Sequence, residues 1–267
     1  MNIGHTFVRN TVCLSLFVLL IVSLQTKSYF LICLWILCSI YLFICSNKSI
    51  RLFVITNILF GIGFFMYLYI NSHWVIHIEA KELNIFLNRF SLVIILTLLA
   101  IPALFSRSPF IKYWRKPEWN GFIYFPFIWS GFHQAKVKFF LLIAVIVNIL
   151  IFTPFVVLNG WSFIREIWFL AIVFSTVNAL LEELIWRGAL LSRFSEQFGE
   201  KWAVVITSLG FGLQHYSLGF PWLVCIAFSI GGMFYGGITI KSKSIIPSVV
   251  WHIVLNILMV LSGFILK

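Results

Sequence analysis

The sequence has no aspartate. Its eight acidic residues are all glutamate, against 19 Lys and Arg in 267 residues. An intramembrane protease that works through two aspartates therefore cannot be built from this chain. No Gly-x-Ser-x-Gly occurs, which counts against a serine protease with that nucleophile turn. No His-Glu-x-x-His occurs, which counts against the zinc proteases built on that motif. Cys13, Cys33, Cys38, Cys45 and Cys225 fall in apolar runs without a metal-type CxxC pair, and read as small buried side chains. Charge is scarce as well. Only 10% of residues are charged, where a soluble domain carries about 25%. No stretch is polar enough for a separate soluble domain.

Long apolar runs fill the space left by charge. Hydrophobic residues make up 61% of the chain, and they recur in blocks long enough to span a bilayer as helices. We read nine such segments, near 11–25, 29–46, 52–70, 89–106, 138–158, 166–192, 201–218, 220–240 and 245–265. The expected fold class is all-α: a polytopic transmembrane helix bundle of about eight or nine helices enclosing a polar intramembrane cavity. The first run follows Arg9 but lacks a small-residue cleavage site, so it is expected to be a retained helix. Residues 1–137 show no chemical constellation and read as a variable scaffold of helices plus an interfacial loop. Residues 138–267 read as a second helical block, the one that carries the polar motifs below.

The net charge of +11 does not point to nucleic acid, because the cations are spread over short loops. It fits orientation by the positive-inside rule and attraction to anionic lipid. With a cytoplasmic N-terminus, 14 Lys and Arg fall inside and five outside. That asymmetry predicts a multi-pass protein of the cell membrane with its C-terminus out. The loop from Arg107 to Lys138 mixes cations with Phe, Tyr and Trp. It is expected to be an interfacial amphipathic segment on the inner leaflet; a re-entrant gate around Gly121–Gly131 is the other reading. His73 and His77, beside Glu79, read as interfacial residues sooner than as half a metal site.

Three polar features interrupt the apolar helices of the second half. The first is Glu182-Glu183-x-x-x-Arg187, with Asn178 one turn before Glu182. The second is Phe211-x-x-x-His215, and the third is His252-x-x-x-Asn256. Between the last two, Gly231, Gly232, Gly236 and Gly237 permit close helix approach. Charged groups at the centre of a membrane helix cost roughly 2.5–3.5 kcal/mol each on insertion scales, so they mark function by default. Residues four apart share a helical face, so Glu183 and Arg187 can neutralise each other while Glu182 faces elsewhere. Glu182 lies 17 residues before Gly199 and His215 lies 16 after it. An antiparallel hairpin would set both at one level, roughly 24–26 Å from the turn.

One Glu, two His and one Asn in a partly dry cavity suit acyl hydrolysis. The carboxylate activates water, and His and Asn donate hydrogen bonds to the oxyanion that forms on a carbonyl. Glu182, His215 and His252 could instead hold a zinc ion.

These motifs resemble those of the CAAX-processing and bacteriocin-processing (CPBP, or ABI) intramembrane endopeptidases, over roughly residues 165–260. The resemblance implies a membrane-embedded protease with a cavity open to the cytosol. It implies that Glu182 activates water, that His215 orients it, and that His252 and Asn256 stabilise the oxyanion. Glu183, Arg187 and Phe211 would support the site. The implied substrate is a peptide or protein at the membrane. No cofactor is expected, because Asn is a poor zinc ligand and a good oxyanion donor; Zn2+ is the alternative. A non-catalytic immunity factor that binds a bacteriocin through the same cavity is the rival from another class. A proton-coupled transporter would need paired broken helices in both halves, which are not seen.

Overall fold

A computed structural model describes residues 3–104 and 109–265. Among them, helices dominate and strands are confined to one hairpin, so the all-α expectation holds. Five helical stretches are long and apolar enough to cross a membrane: Gly4–Thr26, Lys48–His77, Lys81–Leu104, Val137–Phe198 and Trp222–Ser242. Tyr29–Cys45 and Ile246–Leu261 are shorter apolar helices. The protein is a multi-pass membrane protein.

The chain runs through α1 (Ile3–Thr26), α2 (Tyr29–Cys45), α3 (Lys48–His73), α4 (Lys81–Phe90) and α5 (Val93–Leu104). It then forms β1 (Phe122–Pro126) and β2 (Gly131–Lys136), and enters α6 (Val137–Glu183). A π-helical turn over Leu184–Leu190 leads into α7 (Leu191–Phe198), α8 (Glu200–Leu213), a 3-10 turn at Gln214–Leu218, α9 (Trp222–Ser242) and α10 (Ile246–Leu261). The described residues fall into two compact units with interleaved chain segments. One comprises Met1–Ile70, Ile94–Lys112 and Ile185–Gly236. The other comprises Asn71–Val93, Tyr113–Leu184 and Gly237–Lys267.

In the first unit, aromatic rings from α1, α3, α7 and the π turn interlock. Phe17 meets Phe60 at 5.4 Å and Phe194 at 5.5 Å, and Trp186 meets Phe60 at 5.4 Å. All four are fully buried. Lipid tails are as apolar as these rings, so close packing rather than water exclusion holds such a cluster together. Glycines set the approach of α9 to α8. A Cβ on Gly232 would sit 3.1 Å from Phe211 Cδ1, one on Gly236 3.0 Å from Val204, and one on Gly212 would collide with Ser229 Oγ and the Cys225 carbonyl. Gly231 has open space around it. Gly212→Ala is therefore expected to destabilise the protein by about 1–3 kcal/mol through overpacking. Gly231→Ala should not lower stability, because it adds only helix propensity. Thermal unfolding in detergent of the two variants beside wild type checks both.

In the second unit, α10 packs on both arms of α6. Those arms are the two runs near 138–158 and 166–192 that the sequence separates. They meet at Gly160, whose φ of +77° and ψ of 166° break the helix after Asn159. Only glycine takes that conformation at low cost. Phe140 meets Trp251 on the first arm, while Ile167, Ala171 and Phe174 cluster with Val260 on the second. Asn159 Nδ2 donates to the Leu261 carbonyl at 3.2 Å.

The segment expected to be amphipathic and interfacial forms an antiparallel hairpin, with Phe122 opposite Lys136 and Phe125 opposite His133. The run Phe-Ile-Tyr-Phe favours extended backbone, and its short length conceals that from a search for apolar periodicity. Part of the loop, residues 105–108, lies outside the described residues. The segment expected near 89–106 is two helices, because Ser91 and Leu92 interrupt it.

Candidate active site

Glu182 and Glu183 close the second arm of α6. Both are buried, at 1% and 0% exposure. Asn178 lies one turn earlier, and its Nδ2 donates to Glu182 Oε2 at 3.4 Å. The helical stripe read from spacing is thus present as a side-chain contact.

His252 and Asn256 come from α10. The start of that helix is tied down by polar side chains. Thr239 Oγ1 donates to Ser248 Oγ at 3.1 Å, Ser248 Oγ donates to the Ile245 carbonyl at 2.8 Å, and Pro247 occupies the first turn, where its missing N–H costs nothing. Two turns on, His252 sits between the two carboxylates of α6. Its Nδ1 lies 2.9 Å from Glu183 Oε1, and its Nε2 lies 3.6 Å from Glu182 Oε2. Asn256 is one further turn along and 6% exposed.

An ionised Glu183 carboxylate only accepts, so against it Nδ1 of His252 carries the hydrogen and donates. In the neutral ring Nε2 is then an acceptor; only the doubly protonated ring donates from Nε2. Asn256 Nδ2 is a buried donor with no hydrogen-bond partner among the described residues. Buried amide donors are nearly always paired in folded proteins, by protein groups or by water, so Asn256 Nδ2 has a hydrogen bond to give to a water or a ligand atom.

Just past Glu183, from Leu184, the chain winds as a π helix. Single π turns inside α helices recur at functional sites. The sequence also misses the partner that Glu183 takes on α10. No spacing within one helix could have shown it.

Arg187, Phe211 and His215 belong to the other unit, and are described within it. Arg187 is 1% exposed. Its Nη2 donates to the Gly232 carbonyl at 3.1 Å, and its guanidinium lies 4.3 Å from the Phe211 ring centre and 5.1 Å from that of Tyr235. Stacking over two ring faces is a cation–π arrangement suited to a planar guanidinium. Phe211 therefore carries Arg187 on its ring and His215 on its backbone. His215 Nδ1 lies 2.8 Å from the Phe211 carbonyl, which only accepts, so Nδ1 holds the hydrogen and Nε2 is the acceptor of the neutral ring. The imidazole stacks on Phe228 at 4.3 Å and meets Phe211 edge-on at 5.0 Å. Neither Phe228 nor Tyr235 stands out in the sequence. Both lie in an unbroken apolar run, and Tyr235 betrays itself only by following Gly232 by three positions.

Among the described residues, no group of three or more His, Cys or Glu side chains is arranged to hold a metal ion, and this includes His73, His77 and Glu79. Residues 164–258, somewhat over a third of the chain, match the family described as type II CAAX prenyl endopeptidase Rce1-like. The match spans all three polar motifs and supports the resemblance to the CPBP family. Neither a curated protein nor a solved structure matches the chain.

Proposed function

On the premise that residues 164–258 are of the CPBP, Rce1-like type, we propose that this membrane protein is an endopeptidase that hydrolyses a peptide bond by glutamate-activated attack of water. The observation that carries the reading is the grip of His252 between Glu182 and Glu183, with Asn256 Nδ2, which has no hydrogen-bond partner among the described residues, one turn away.

In this reading Glu182 takes a proton from water as the water oxygen bonds to the scissile carbonyl carbon. The carbonyl oxygen becomes an oxyanion and accepts hydrogen bonds from Asn256 Nδ2 and from Nε2 of doubly protonated His252. Glu182 then gives its proton to the leaving nitrogen, the C–N bond breaks, and an acid and an amine result. Glu183 holds His252 in position through Nδ1. His215 takes its role from the family resemblance: its Nε2 acceptor is the tautomer needed to orient a water proton. Arg187 and Phe211 are supporting residues.

The substrate in this reading is a peptide or membrane-associated protein reached from the cytoplasmic side of the cell membrane. Comparative peptidomics of cells carrying wild type or Glu182→Gln at equal expression tests it. A peptide or tail trimmed only in the wild type supports the endopeptidase. No difference, with the variant folded and any cellular phenotype kept, turns the reading toward a binding protein such as an immunity factor.

The mechanism runs without a metal. In the cluster on α6 and α10, Asn256 is a poor zinc ligand and a good oxyanion donor. Cleavage by the purified protein is expected to be unchanged by excess 1,10-phenanthroline. Loss that zinc restores would turn the assignment to Glu182, His215 and His252 as ligands.

A further inference from the structure

Residues 113–138 take no part in the chemistry above, yet they are tied closely to the helix that carries His252 and Asn256. The backbone N–H of Ile245, the residue that caps α10, donates to the Tyr113 carbonyl at 3.1 Å. Ser244 Oγ donates to the Arg115 carbonyl at 2.6 Å, and the Glu118 N–H donates to the Ser242 carbonyl at 2.7 Å. Glu118 also pairs with Lys243 at 2.8 Å. The inner side of the hairpin is buried: Ile123 packs with Val137 and Ile238, and Ile128 lies directly over Gly237, where a Cβ would leave it no room.

Elsewhere in the segment large aromatic side chains are exposed. Phe127 and Phe132 are 68% and 76% exposed, and Trp114, Phe122 and Phe125 are exposed with them. Among the described residues, 113–136 lie outside every helical stretch long and apolar enough to cross a membrane, and Val137 and Lys138 begin one. So large an exposed aromatic patch marks an interaction surface. Charge says what kind. Between residues 113 and 138 there are four cations, Arg115, Lys116, Lys136 and Lys138, against the single acid Glu118, which is already paired with Lys243. Aromatic side chains beside cations are the pattern of a segment lying in the headgroup layer of an anionic leaflet.

We propose that the 113–138 segment is a membrane-interface anchor, seating its exposed aromatic side chains in the headgroup region of anionic phospholipid and bracing the start of α10 from that position. The proposal stands apart from the protease reading, and its test needs no substrate. The full-length protein is placed in nanodiscs of phosphatidylcholine alone and of phosphatidylcholine with phosphatidylglycerol, and amide hydrogen exchange is followed by mass spectrometry. Exchange across 122–136 is expected to slow severalfold in the anionic discs, and high salt should reverse the effect. A variant with Arg115, Lys116, Lys136 and Lys138 changed to Gln should lose the dependence on lipid charge. Phe127→Ser with Phe132→Ser should lose the protection in both discs. Unchanged exchange at α10 amides 253–260 certifies that each variant is folded. Equal exchange of the wild-type hairpin in the two discs, or protection that survives the loss of all four cations, overturns the proposal.

Discussion

Glu182→Gln is expected to lower peptide hydrolysis by about 10²–10⁴-fold, the range over which a positioned general base contributes. The substitution keeps side-chain shape, so packing at a site 1% exposed is preserved. The amide oxygen can still accept from Asn178 Nδ2, which lies 3.4 Å from the native carboxylate. What is lost is basicity. A glutamine cannot take a proton from water, nor hand one to the leaving nitrogen. The fall should therefore appear in kcat, with KM little changed, because substrate binding does not use the proton. The measurement is steady-state hydrolysis of the peptide identified by peptidomics, with a thermal melt to certify folding. A variant retaining wild-type kcat would falsify the assignment of Glu182 as base.

Glu183→Leu is expected to have a comparable effect by a different route. Glu183 is fully buried and accepts the Nδ1–H of His252 at 2.9 Å. Leucine fills the space but cannot accept, so Nδ1–H loses that acceptor and the ring loses the contact that positions it. Removing the carboxylate that orients a catalytic histidine cost about 10⁴ in kcat in the serine-protease case, and a loss of about 10²–10⁴ is expected here. A buried donor left without an acceptor also costs about 1–3 kcal/mol in stability. Glu183→Gln separates the two roles. Its amide oxygen still accepts from Nδ1–H, so stability should largely return while kcat recovers only in part. Should Glu183→Leu melt lower than wild type yet keep its kcat, Glu183 is structural and His252 needs no such positioning.

The polar residues inside the apolar helices were legible because their cost makes them conspicuous. Contacts within one helix followed as well. Asn178 meets Glu182 at the spacing of four that the α helix prescribes, and His215, in the 3-10 turn just past α8, turns back to Phe211 at the same spacing. The glycines of α9 were legible too, since Gly232 and Gly236 pack closely on α8. The β hairpin was not legible as a hairpin. Its strands of five and six residues are too short to compete with helical runs three times as long, and its pairing is decided between strands.

By itself, then, the sequence determined the helical, membrane-spanning class and the pairs set by helical pitch, because both depend on neighbours along the chain. Tertiary structure alone decided that Glu183 takes the Nδ1–H of His252, 69 positions away. It also decided that the chain passes into a π turn at Leu184 and that Asn256 Nδ2 is buried without a hydrogen-bond partner among the described residues. Each of these depends on the rotation and depth of one element against another. A change of about 100° in rotation, one residue of helix, would have given His252 to a different side chain.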